Sequence, residues 1–219
     1  MDVLNAYLSG QHPVMSLFSR LKSLIKPQPT EQIAGYSKAE LKVLFSDPLR
    51  ACDLQNPSHL TSLADAGIFA YYSSQLLDPL DLARFESLIT PRFQQCHTRD
   101  FHGLPVFEYA NLKKEQRLIV LRSRKEFNGV TIRLVTNDTE FLDAVSGEEF
   151  SVPPPWIAFD GYEPSWWGSS MQGAQGSYDD AYFAPYFTHL SESDKQAYFV
   201  RYNATSAWIE RLRLMYNDT

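Results

Sequence analysis

The 219-residue chain has no lysine or arginine between Arg133 and Lys195, although eleven carboxylates fall in that interval. Nucleic-acid backbones are held by clustered lysine and arginine. The gap, with a formal net charge of -6, argues against a nucleic-acid ligand and is compatible with a basic one. Cysteine is nearly absent too. Cys52 and Cys96 are the only two, and the first residues carry no basic leader. Buried free thiols are therefore expected rather than a structural disulfide. No apolar run approaches the roughly 20 residues of a membrane helix. With no export signal to read, the cytoplasm is the expected location and no membrane partner is expected.

Catalytic signatures are missing as well. The five histidines, with Cys96, His97 and His102 close together, form no CxxC or HxxxH pair of the kind a zinc site uses. No GxSxG elbow is present. The run GSSMQGAQG has glycines but neither the lysine nor the preceding apolar strand of a phosphate-binding loop. No catalytic residue, metal or cofactor is expected, and an enzyme is the less favoured reading.

What is present is enough apolar residue to fold: 44% hydrophobic against 21% charged. The aromatics are concentrated. Fifteen of the thirty lie in residues 151–219, and residues 152–190 hold Trp156, Trp166 and Trp167.

Hydrophobic spacing predicts an α+β chain with a helical N-terminal half (1–97). Val14 to Ile25 repeats every three to four residues. Ser37 and Glu40 form a capping box before a helix to about Phe45. Residues 57–77 read as a longer buried helix, and Asp78-Pro79 as the start of another. The period then changes to two. Residues 104–109, 117–124 and 130–136 predict a three-stranded antiparallel sheet, with Asn128-Gly129 as a hairpin turn. A two-residue turn there sets Arg124 opposite Arg133, which is repulsive. Either the turn is longer or a carboxylate covers the pair. Asp138 to Val145 predicts a short helix. Residues 152–190 have no sustained period and predict a long, ordered aromatic loop. Two C-terminal helices follow, from Ser191 and from Ser206. The chain reads as one domain over 1–219, with a possible division into 1–97 and 98–219.

The candidate site is the acidic, aromatic part of that loop: Asp160, Glu163, Trp166, Trp167, Tyr178, Asp179, Asp180 and Tyr182. Carboxylates speed encounter with a cationic partner, and tryptophan and tyrosine anchor it once docked. In size, acidity, α+β make-up and lack of a catalytic signature the chain resembles immunity proteins. The resemblance implies a cytoplasmic inhibitor that covers a basic toxin or enzyme. The alternative is a hydrolase or binding module for a saccharide-like substrate, with the same rings as platform and the same acids as a carboxylate pair.

Overall fold

The computed structural model describes residues 32–47, 60–168 and 171–216. The expected amphipathic helix of 14–25 and Cys52 lie outside the described residues. Residues 32–44 form a two-stranded ribbon, β1 (Gln32–Ile33) with β2 (Tyr36–Ser37), followed by α1 (Lys38–Leu44). The Ser37–Glu40 capping box is formed as expected.

The main sheet has six antiparallel strands: β3 (Leu60–Ser62), β4 (Tyr71–Leu77), β5 (Gln94–Phe101), β6 (Leu104–Asn111), β7 (Gln116–Ser123) and β8 (Val130–Thr136). Their order is β3-β4-β8-β7-β6-β5. This corrects the expectation of three strands behind a helical N-terminal half. Residues 60–77 are two strands around a 3-10 turn, Ala64–Ala66, that ends at Gly67 with φ 71°. The left-handed conformation there turns the chain, and pairing of β4 with β8 overrides local helix preference. Gln94–Phe101 gives little strand signal because it is polar and lies on the sheet edge. The helices are mostly C-terminal. Of the expected N-terminal ones, α1 and α2 (Leu82–Ile89) form, the latter after a Pro79–Asp81 turn capped by Asp78.

Both faces of the central strands are covered, which explains the near-continuous apolar runs of β7 and β8. One face buries Leu118, Val120, Ile132 and Leu134 beneath α2 and α3 (Thr139–Gly147). The other buries Val106, Ile119, Leu121 and Val135 beneath Tyr36, Leu41 and Phe45. Arg99 fastens this second layer, lying 3.6 Å from the Tyr36 ring centre and 2.9 Å from Glu40.

The β7–β8 connection is longer than two residues, since the pairing closes at Ser123 with Thr131. Arg133 is met by Glu126 at 3.0 Å. Phe127 and Asn128, not Gly129, take the positive φ. Gly129 serves close approach instead, because a Cβ there would lie 2.7 Å from Leu76 and 3.0 Å from the Leu77 carbonyl. Cys96 is a free thiol and is exposed, against expectation. Edge strands bury little, which is the reason.

Candidate functional site: an acidic aromatic face and its cleft

The stretch expected to be a long loop is largely helical. After α4 (Pro155–Ala158) and a turn at Pro164–Trp166, α5 (Ala174–Tyr178) runs through a π-helical turn, Asp179–Phe183, into α6 (Ala184–His189). Pro185 gives the cause. It has no N–H for a standard helical bond and its ring crowds the preceding turn, so the helix widens just before it. The Ala184 N–H reaches back to Asp179 across the wide turn. α7 (Glu192–Arg201) and α8 (Ser206–Tyr216) follow as expected.

These elements stack aromatic rings in two layers. The lower layer is core: Trp167, Tyr178, Phe183 and Phe187 have no exposed surface. Tyr178 stacks on Phe183 at 5.7 Å, and Phe183 on Phe187 at 5.3 Å. The Tyr178 hydroxyl donates to the Pro153 carbonyl, and Tyr198 donates to Val152 at 2.6 Å. Burial pushes both phenols far above the usual tyrosine range. Asp179 belongs to this layer. Tyr216 donates to it at 2.5 Å and accepts from the Trp167 indole at 3.2 Å. Burial raises the Asp179 pKa, the Tyr216 hydrogen bond opposes that, and Asp180 adds to it.

The upper layer is partly exposed and continuous. From Tyr182 the rings run to Phe127 (6.1 Å), Phe159 (5.7 Å), Tyr162 (5.9 Å) and Trp166 (5.5 Å). Trp166 closes the run, 54% exposed. Asp160 and Glu163 are exposed on the same 159–166 segment, and Asp180 is exposed beside Tyr182 in sequence. None of the three has an ion pair among the described residues. Asp160 accepts a hydrogen bond from Asn128 at 3.3 Å. Among the described residues, the cations that approach these layers are engaged: Arg133 with Glu126, Arg211 with the Trp167 carbonyl, and Lys195, 5.5 Å from the Phe187 ring centre, with Glu192 at 3.0 Å.

At its Tyr182 end the ring run meets a cleft of about 430 Å³. The cleft lies beside β4 at Ser74, Gln75 and Leu76, next to the Leu60–Ser73 pair of β3 and β4. α3 contributes Leu142, Val145 and Ser146, and the α5–α6 helix contributes Tyr182, Pro185, Tyr186 and His189. Among the described residues, Glu149 and Asp194 are its carboxylates and its lining includes no lysine or arginine.

The eight sequence candidates therefore divide. Asp160, Glu163 and Trp166 share the exposed end of the ring run, Tyr182 joins the run to the cleft, and Asp180 is exposed next to it. Trp167, Tyr178 and Asp179 hold the layer beneath. Sequence reasoning missed Phe127, Glu149, Tyr162, Tyr186, His189 and Asp194. Tyr182, Tyr186 and His189 are spaced i, i+4, i+7, a helical signal masked by the lack of sustained period in the residues around it. Among the described residues, no group of three or more His, Cys, Asp or Glu is placed to hold a metal ion, and no helix is long and apolar enough to cross a membrane. No family model matches the chain, and no curated protein or solved structure is significantly similar to it.

Proposed function

We propose that this chain is a binding protein that neutralises a basic protein partner, in the manner of a cytoplasmic immunity protein or enzyme inhibitor, through its acidic aromatic face. One observation carries the reading. A continuous run of partly exposed rings, Tyr182 to Trp166, is flanked by carboxylates that have no ion pair among the described residues and ends in a cleft whose described lining holds no lysine or arginine. Partly buried rings are already ordered, so docking on them loses little side-chain freedom. Unpaired carboxylates at the rim steer a cationic surface toward the rings.

The saccharide reading draws less support. It needs several open ring faces beside a carboxylate pair, yet Trp167 and Tyr178 are core and Asp179 is committed to Tyr216.

The test uses two variants of the full chain, Asp160→Lys with Glu163→Lys, and Trp166→Ala. All three residues are exposed, so the melting temperature should hold. The intact chain should retain a stoichiometric basic protein from its source cells. The double variant should lose it, and Trp166→Ala should weaken it by about 30-fold, the loss of one interface anchor. Unchanged retention by both variants refutes the proposed face.

A further inference from the structure

The cleft beside β4 has chemistry of its own, and a role for it rests on the proposal that this face binds a basic protein. Tyr182 shares a hydrogen bond with Ser74 at 3.0 Å, and the Tyr186 ring packs on the Tyr198 ring at 5.7 Å. So held, the two rings form walls. Leu76, Leu142 and Val145 supply further apolar surface.

Of the polar groups left over, Gln75 and Ser146 can donate as well as accept, and three others offer acceptors. Glu149 has no ion pair or side-chain hydrogen bond among the described residues, and its backbone bends at φ 47° as the chain leaves α3. Asp194 uses Oδ2 to accept from Ser191 at 2.5 Å, which leaves Oδ1. His189 sets Nδ1 against the Pro185 carbonyl at 2.5 Å. A carbonyl only accepts, so Nδ1 carries a proton, and Nε2 is an acceptor in that tautomer. Two carboxylates and one imidazole nitrogen thus line a tyrosine-walled cleft, with no lysine or arginine among its described lining residues.

We infer that this cleft receives an arginine side chain of the basic partner. A guanidinium is flat, stacks on tyrosine faces, and carries five donors to satisfy several acceptors at once. An ammonium is more strongly hydrated and lacks the planar fork. A volume of about 430 Å³ also admits the residues that flank the arginine.

The probe is N-acetyl-arginine amide, with the N-acetyl-citrulline amide as a neutral control of the same shape. Binding to the full chain is followed by NMR at the His189 ring and the Leu142 and Val145 methyls. Saturable shifts are expected with the arginine probe, and at least about tenfold weaker binding with citrulline, the loss of charge-assisted hydrogen bonds. Glu149→Gln with Asp194→Asn should bring arginine down to the citrulline level. A citrulline probe that binds equally well overturns the inference, as does an unaltered arginine affinity in that variant. So does an absence of cleft shifts at tens of millimolar arginine probe.

The two claims fail separately. Asp160→Lys with Glu163→Lys should leave probe binding intact. If the partner is captured through Asp160 and Glu163 but the probe is silent at the cleft, the arginine site falls and the binding reading stands. If the probe behaves as expected and no basic partner is retained, the binding reading falls.

Discussion

Replacing Tyr216 by phenylalanine removes one oxygen and disconnects two buried groups. Its hydroxyl donates to Asp179 at 2.5 Å and accepts from the Trp167 indole at 3.2 Å. Trp167 has no exposed surface and Asp179 is 8% exposed, so water reaches neither group easily. A hydrogen bond to a buried charge is worth about 1.5–3 kcal/mol, and a stranded indole N–H costs about 1 kcal/mol or more. The two losses overlap, and the expected sum is about 3 kcal/mol at pH 7. The pH dependence identifies the cause. Burial raises the folded pKa of Asp179 above its unfolded value, so its charge costs stability. That cost is absent below the unfolded pKa and develops as pH rises through the folded one. Loss of the Tyr216 donor raises the folded pKa further. The deficit of the variant should therefore be largest at neutral pH and shrink as pH falls. Urea denaturation of both proteins at pH 7 and at a mildly acidic pH measures this. A deficit below about 0.5 kcal/mol at pH 7, or one equal at both pH values, refutes the argued role of the Asp179–Tyr216–Trp167 contact.

Other substitutions test other parts of the account. Gly129→Ala forces a Cβ to within 2.7 Å of Leu76 and 3.0 Å of the Leu77 carbonyl, and should cost about 2 kcal/mol of unfolding free energy, measured by denaturant titration; a loss under about 0.5 kcal/mol contradicts the close approach. Glu40 is held down to about 2, first by the Ser37 backbone and hydroxyl and then by Arg99. Its contribution is present above the ordinary carboxylate pKa and is lost as pH falls through about 2. Because the side chain is half exposed, Glu40→Gln should cost only about 1 kcal/mol at pH 7, a difference that should vanish in strong acid; a pH-independent difference would point to packing instead.

Local signals in this sequence are legible and non-local ones are not. The Ser37–Glu40 capping box, the Asp78-Pro79 start and strands β6 to β8 depend on neighbours in the chain, and each is where spacing puts it. The 60–77 segment misleads because its apolar residues fit a helix until β8 competes for β4, and because Gly67 fits a packing gap in a helix as well as the left-handed turn it makes. The aromatic segment hides its helix for a geometric reason. The π-helical turn adds one residue, so the buried rings fall at 178, 183 and 187, spaced five and then four. A period of 3.6 cannot be read across that step. The same shift obscures which candidates face outward. Composition identifies an acidic aromatic region, but only packing separates Trp166 on the surface from Trp167 beneath it, and Asp180 from the buried Asp179.

The most direct test of the acidic face is the salt dependence of the captured complex. The full chain, carrying an affinity tag, would be purified from its source cells in parallel with its Asp160→Lys, Glu163→Lys variant, each eluted across a gradient of increasing salt. The account predicts that a basic protein at one-to-one stoichiometry is retained at low salt, released as salt screens the carboxylates, and never retained by the variant. Recovery of the intact chain without a basic protein, or a complex equally stable at high salt and in the variant, contradicts it.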